Sequence, residues 1–349
     1  MVKKKRSRNH TPFVSIVMPM RNEEHFIARC LDSITANDYP YKKYEVLIAD
    51  GMSTDRSREI VNKYSQKHPH IRLLDNPQKI RVTANNVGIR AAKGEIIISM
   101  DAHVLYEKDY IRKCVELLQT TGAANVGGLQ KAEGYNYVTW TIAHATSTPF
   151  GIGDAEFRYL KKEKWVDTVY LGAWYKKTLE KVGLFSEDWL RNGDYELNYR
   201  IRKAGGKILL SPKIKCKYFV RGTLRKLTRQ YFLYGTWRVK TIKTHPDSIR
   251  WRHLLPPLLI LWLLLSPLLL ATGWSFWWLP AGIYFFYTFV TSTGIAIRKG
   301  IRYLPLLIPT LWLIHISWGA GIYRGIMKFG FPSIRVKTIF KDLLGKPTF

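Results

Sequence analysis

The stretch Glu95-Ile96-Ile97-Ile98-Ser99-Met100-Asp101-Ala102-His103 decides the reading of this chain. An apolar run of strand length ends abruptly in an acid, a small residue and an imidazole. Buried strands of a parallel sheet read as continuous apolar runs, and open α/β sheets present ligand-binding groups at the strands' carboxyl ends. Asp101 and His103, separated only by Ala102, therefore form a candidate metal pair beside an anionic ligand. In isolation such a triplet is also ordinary turn chemistry. The sequence on either side decides between the two.

Upstream, the same unit recurs. Phe13–Met18 is an apolar run broken by Pro19-Met20-Arg21-Asn22-Glu23, and Glu24–Thr35 follows with helical spacing. Tyr44–Ala49 is a second run, closed by Asp50-Gly51-Met52-Ser53-Thr54-Asp55, with a helix over Arg56–Tyr64. Ile71–Leu74 and Arg81–Lys93 form a third strand and helix. Strands alternating with helices of this length imply parallel βαβ units. Downstream, helices are predicted over Lys108–Thr120, Lys176–Val182 and Tyr195–Ala204. Strands are predicted over Ala124–Leu129, Val166–Leu171 and Lys207–Leu210. The Gly-, Thr- and aromatic-rich segment 130–164 reads as a mobile or substrate-facing insertion.

Charge is unbalanced: 55 Lys+Arg against 26 Asp+Glu, a formal +29. A nucleic-acid binder would interleave basic and aromatic residues across a folded domain. Here the excess is instead concentrated in a basic tail (residues 1–11) and in 213–252, which holds twelve Lys/Arg and a single acid, Asp247. Leu254–Ile297 then contains no charged residue. Apolar stretches at 254–272, 274–297 and 303–323 have the length of membrane spans. Thr223–Lys243 reads as a basic amphipathic helix in the interface plane. The positive-inside rule puts 213–252 and Arg298-Lys299-Gly300-Ile301-Arg302 in the cytoplasm, so the first two spans form a hairpin. A third crossing would send the basic C-terminal tail (327–349) outward, against the same rule, unless that segment is re-entrant. A transporter is disfavoured, because the spans carry no acid. No apolar core of signal length follows the basic Met1-Val2-Lys3-Lys4-Lys5, and Cys30, Cys114 and Cys216 suit reduced thiols without metal spacing.

Neither G-x-G-x-x-G nor G-x-x-x-x-G-K-[ST] follows a strand, so dinucleotide and P-loop sites are disfavoured. Val14–Glu23, Glu45–Asp55, Asn86–Gly94 and Ile96–His103 together resemble the nucleotide-binding half of family 2 inverting glycosyltransferases, which have the α/β GT-A fold. His103 stands where the family's Asp-x-Asp motif has its second acid, as in the succinoglycan-biosynthesis subgroup. The resemblance implies a catalytic domain over about 12–222, an interfacial segment at 223–252 and a membrane domain over 253–326. It implies a nucleotide-sugar donor, with UDP-sugar the expectation, bound by Pro19, Arg21, Glu23, Asp50, Asp55, Arg81 and Asp101. It also implies Mn²⁺ or Mg²⁺ at Asp101 and His103, with imidazole favouring manganese. Asn192-Gly193-Asp194-Tyr195-Glu196-Leu197 resembles the segment carrying the family's catalytic base, which makes Asp194 that base, held ionised by the helix dipole. Glu196, Arg229, Trp237 and Arg238 are candidates for acceptor or diphosphate contact. The implied activity is transfer of a sugar, at the cytoplasmic face of a cell membrane, to a lipid-linked or glycan acceptor.

Overall fold

A computed structural model describes residues 11–153, 155–220 and 222–344. The basic tail at 1–10 and the last residues, 345–349, lie outside the described residues. In chain order the elements begin with β1 (Val14–Met20), α1 (Ile27–Thr35), β2 (Tyr44–Asp50), α2 (Ser57–Lys67) and β3 (Ile71–Asp75). There follow α3 (Arg81–Ala91), β4 (Ile96–Ser99), β5 (Val104–Tyr106), α4 (Tyr110–Thr121), β6 (Asn125–Glu133), α5 (Tyr137–Ala145) and α6 (Pro149–Ile152). Next are β7 (Lys164–Trp165), β8 (Ala173–Tyr175), α7 (Lys176–Val182), α8 (Gly193–Lys203) and β9 (Ile208–Phe219). The chain closes with α9 (Leu224–Thr244), α10 (Leu255–Ala271), α11 (Leu279–Lys299), α12 (Leu304–Phe329) and α13 (Val336–Leu343).

The chain divides into two units: residues 1–130 with 160–218, and residues 131–159 with 219–349. In the first, the sheet order is β3-β2-β1-β4-β8-β6-β9-β5, with β7 on β9. β1 pairs in parallel with both β2 and β4, and β2 with β3. This is the predicted βαβ half. The register sets Met20 opposite Asp50 and Asp50 opposite Asp75, so these strands deliver their ends to one edge. Successive strand residues face opposite sides. Val17, Leu47 and Ile97 pack with Val82 and Ile89 of α3, Leu179 of α7, and Leu197 and Ile201 of α8. Their neighbours Ile16, Met18, Val46, Ile48, Ile96 and Ile98 are equally buried, so both faces of these strands are covered.

The second half of the sheet departs from the sequence reading. β8 runs antiparallel to β4 and β6. Predicted strand 166–171 is not formed. Its residues run as an irregular segment that turns through Leu171 at φ 53°, a left-handed position costly for leucine. The last strand is much longer than 207–210, because Ile214, Cys216 and Tyr218 are buried in alternation with exposed Lys213, Lys215 and Lys217. Those lysines counted as the start of the basic belt are one face of β9, and the short β5 pairs against it. The segment 130–164 contains two helices, and its residues 131–159 belong to the second unit.

In the second unit, three helices are long and apolar enough to cross a membrane. The expected interfacial helix is α9; Leu227 and Trp237 of its apolar face are buried, while Leu224, Tyr231 and Tyr234 are half-buried. Gly235 lies so close to α12 that a Cβ would sit 2.0 Å from the Trp318 carbonyl oxygen, and Gly321 of α12 is as close to that of Phe232. Close glycine-mediated helix approach covers the second half of α9.

The tightest helix-to-sheet approach in the first unit is at Gly88, where an added Cβ would meet Val17 Cγ1 at 2.4 Å. Overpacking of this kind costs about 1–3 kcal/mol. Gly88→Ala should therefore lower the thermal unfolding midpoint measurably, and an unchanged midpoint would contradict the packing of α3 on β1.

Candidate functional site

Asp101 leaves the end of β4 in a fixed position. Its backbone N–H donates to the Tyr106 hydroxyl at 2.7 Å, and that of Met100 donates to the Val17 carbonyl at 2.9 Å. Asp101 is buried, and its carboxylate is held at both oxygens. Arg81 Nη2 lies 3.0 Å from Oδ1, and the Tyr170 hydroxyl donates to Oδ2. Arg81, at the first turn of α3, also reaches to 3.9 Å from Asp194 Oδ2. One guanidinium thus stands between the two acids, and its plane lies over the Tyr170 ring at 5.9 Å.

Asp194 sits in the first turn of α8, with about a third of its side chain open (31%). Desolvation by the surrounding protein raises its pKa above the ordinary carboxyl value; Arg81 opposes this and Asp101 adds to it. The upward direction runs against the helix-dipole contribution expected from the position of Asp194 in the first turn of α8. A carboxyl poised upward is better matched to taking a proton than an ordinary surface aspartate. Tyr170 is shifted in its own ordinary direction: burial, with Asp101 beside it, pushes the phenol well above the tyrosine range, so it remains a donor.

His103 lies two residues beyond Asp101. Its Nδ1 is 3.1 Å from Glu23 Oε1, and its ring meets the edge of Tyr218 at 5.4 Å. Tyr218 in turn packs on Tyr170 at 6.2 Å. Glu23, assigned to the base pocket by resemblance, is therefore a partner of the imidazole. Among the described residues no group of three His, Cys, Asp or Glu is gathered to hold a metal.

Asp50 and Asp55 organise two loops. Asp50 is fully buried and accepts from the Ser53 N–H and hydroxyl, and Arg58 bridges it (2.7 Å) to Asp75 (2.8 Å). Asp55 accepts from the Glu24 and Ser57 N–H groups. Burial disfavours its charge, but these bonds outweigh it and lower its pKa. Ser57 also accepts from the Glu23 N–H at 2.7 Å, and Ser53 from that of Asn22, which takes φ 54°. The loops after β1 and β2 are thereby stitched together, with the Arg21 stem lying over Gly51 and Pro19 opposite Ala49 in the sheet.

The remaining candidates divide. Glu196 is buried and doubly paired with Arg200 at 2.7 and 2.8 Å, and Arg200 also binds the carbonyls of Val182 and Leu184. It fastens α8 to the loop after α7 and offers no carboxylate to an acceptor. Arg229, Trp237 and Arg238 belong to α9 in the second unit. Trp237 is buried against Phe329 (5.4 Å), with Lys240 and Lys328 each 5.3 Å from its ring, so it is a packing residue. Arg229 is exposed and Arg238 partly buried. Sequence reasoning missed Tyr170, Tyr218 and Arg58. Tyr170 stands at the end of a misread strand, and Tyr218 and Arg58 carry no motif.

A strand-end acid, a cation and a helix-borne second acid sit on a half-parallel α/β sheet of the GT-A type. Comparison with known proteins gives the family. The model of glycosyl transferase family 2 matches residues 15–183. The chain is 30% identical, over 90% of its length and 98% of the relative, to a dolichyl N-acetyl-α-D-glucosaminyl phosphate 3-β-D-2,3-diacetamido-2,3-dideoxy-β-D-glucuronosyltransferase of Methanococcus voltae. It is 29% identical to the succinoglycan biosynthesis protein ExoA of Rhizobium meliloti, over 90% of this chain and 95% of that one. The mannosyltransferase of Pyrobaculum calidifontis, solved with GDP-mannose and Mn²⁺, shares the fold, with TM-score 0.60 at 19% identity over 92% of this chain and 89% of that one. The chain belongs to glycosyltransferase family 2, and it is a glycosyltransferase of glycan assembly.

Arg81 lowers the Asp194 pKa, so its removal raises it further. A base works only when ionised, so activity falls as pH drops through that pKa. Arg81→Ala should move the acidic limb of the kcat/KM profile to higher pH, and Arg81→Lys should move it less. An unmoved limb in Arg81→Ala would separate Arg81 from the base.

Proposed function

We propose that this enzyme transfers a sugar, with inversion, from a nucleoside-diphosphate donor to a hydroxyl of a lipid-linked glycan acceptor at the cytoplasmic face of a membrane. The observation that carries the reading is the Asp101–Arg81–Asp194 bridge. In a single displacement the acceptor oxygen bonds to the anomeric carbon, and the bond from that carbon to the diphosphate oxygen breaks. The acceptor proton goes to Asp194, and the nucleoside diphosphate leaves. Arg81 offsets the charge of the two acids. Donor binding is assigned to the loops stitched by Asp50 and Asp55, with Pro19 and Arg21, and uridine is the base expected from the family resemblance.

A divalent cation fits the donor set. Asp101 would supply a carboxylate and His103 an imidazole. When bound, such an ion neutralises the leaving diphosphate. With Nδ1 turned to Glu23, His103 keeps Nε2 for this role, and the carboxylate fixes the tautomer and ring. The lipid-linked acceptor rests on the apolar helices of the second unit and on the dolichyl-phosphate substrate in the name of the Methanococcus relative.

Asp194→Asn should reduce transfer by roughly 10²–10⁴-fold while leaving donor affinity nearly unchanged. Turnover of purified variant at the wild-type rate, assayed as nucleoside-diphosphate release from a UDP- and GDP-sugar panel, would remove Asp194 as the base. Loss of the partner carboxylate typically weakens metal binding by about 10–100-fold. Glu23→Ala should show this for Mn²⁺ titrated into the nucleoside-diphosphate complex, with Glu23→Asp restoring part of it. Equal Mn²⁺ affinity in all three proteins would leave Glu23 with a purely structural place.

A further inference from the structure

Hydropathy gives three candidate spans, and their surroundings differ. Of the most apolar window in each, 6% is buried for α10, 22% for α11 and 44% for α12. α10 has no buried residue, and Leu258, Leu264 and Leu268 are all more than half exposed. α12 is held by protein at its start, its middle and its end. At its start, the Tyr137 ring of α5 stacks on Tyr303 at 5.5 Å, and the Tyr137 hydroxyl donates to the Arg302 carbonyl at 2.7 Å. Midway, His315 Nε2 meets the Phe150 carbonyl of α6 at 2.7 Å. From Trp318 onward α9 takes over: Cβ atoms on Gly235, Gly321 and Gly325 would meet carbonyl oxygens of the facing helix within 2.5 Å. At the end, Lys243 donates to the Phe329 carbonyl, and Arg335 pairs with Asp247 at 3.3 Å.

These covering elements fix sides. Between α5 and residue 254 the chain contains no apolar run of span length, and α9 carries Arg225, Lys226, Arg229, Arg238, Lys240 and Lys243. α5, α6 and α9 therefore lie on one side of the membrane, and both ends of α12 are tied to them. The end of α11 is on that side too, because the Arg302–Tyr303 turn that follows it is held by α5. We infer that α10 and α11 make the two crossings, and that α12 does not cross but runs along the catalytic side, held between α5–α6 and α9.

α13 extends the same surface. Val336, Ile339, Phe340 and Leu343 fall on one helical face at i, i+3, i+4 and i+7, and Val336, Phe340 and Leu343 are more than half exposed. Lys337 and Lys341 lie off that stripe, and Arg335 precedes it. An apolar stripe flanked by cations, continuous with the membrane helices and pinned through Arg335 to the turn before α10, fits an anionic bilayer surface. The same placement puts the cations of residues 324–349 on the side that the positive-inside rule prefers.

Two measurements on the full chain test this. Green fluorescent protein joined to the C-terminus in a bacterial host should fluoresce, and alkaline phosphatase at the same place should be inactive. The reverse pair would mean that α12 crosses. In proteoliposomes containing phosphatidylglycerol, a nitroxide on Phe340→Cys should relax with oxygen and be shielded from a water-soluble nickel complex, with the opposite order at Lys337→Cys. Equal nickel access at both positions, or shielding of Phe340→Cys from both reagents, would overturn the bilayer seat of α13. Neither readout depends on the proposed chemistry, so failure here leaves the sugar-transfer reading standing.

Discussion

The site depends on one guanidinium between two carboxylates. Asp101 is buried and Asp194 partly so, and acids brought this close cannot both ionise cheaply without a cation nearby. Arg81 supplies that cation at 3.0 and 3.9 Å. It can do so because β4 and α3 are held in place by their contacts. The strand fixes Asp101 through Tyr106 and Val17, and the helix is seated on β1 by the absence of a side chain at Gly88. A misplaced α3 would move the charge that keeps both acids usable. Packing at a glycine on one face of the sheet thus reaches the chemistry at its edge.

The acids read together in the sequence separate into two jobs. Asp101 and Asp194 face Arg81. Asp50 and Asp55 bind backbone amides, hydroxyls and Arg58, and they give the loops after β1 and β2 a fixed shape. These carboxylates are a framework for the two loops, because their hydrogen bonds are already satisfied within the protein. Glu23 belongs to neither group: its side chain is turned to His103.

The parallel half of the sheet was legible because each strand is a continuous apolar run closed by turn residues, and Asp101, His103 and Asp194 were legible because they close or open such elements. What escaped is non-local. Val166–Leu171 has strand composition, yet the left-handed Leu171 and the approach of Tyr170 to Asp101 draw it into the cleft. β9 carried a clean period-two signal through Ile214, Cys216 and Tyr218, hidden by lysines that also fit a basic belt. The partners of Glu23 and Glu196 could not be read at all, since His103 is 80 residues from the first, and the second competes between an acceptor and a neighbouring Arg200 one turn away.

The same distinction governs the membrane unit. Hydropathy measures what a helix would tolerate as solvent, and it is silent on what covers it. α10 and α12 are both long and apolar, but α12 interrupts its stripe with Gly319, Gly321 and Gly325, which admit the backbones of α9 and α10 to van der Waals distance. Small residues at such spacing signal a helix neighbour rather than lipid. Thr310, His315 and Ser317 on the same helix are satisfied by protein carbonyls and by Tyr284. These glycines and polar groups are thus matched by protein, while Ile316 and Met327 of the same helix stay exposed. The Leu-rich α10 has no buried residue, although its Pro256 backbone meets Gly319 of α12.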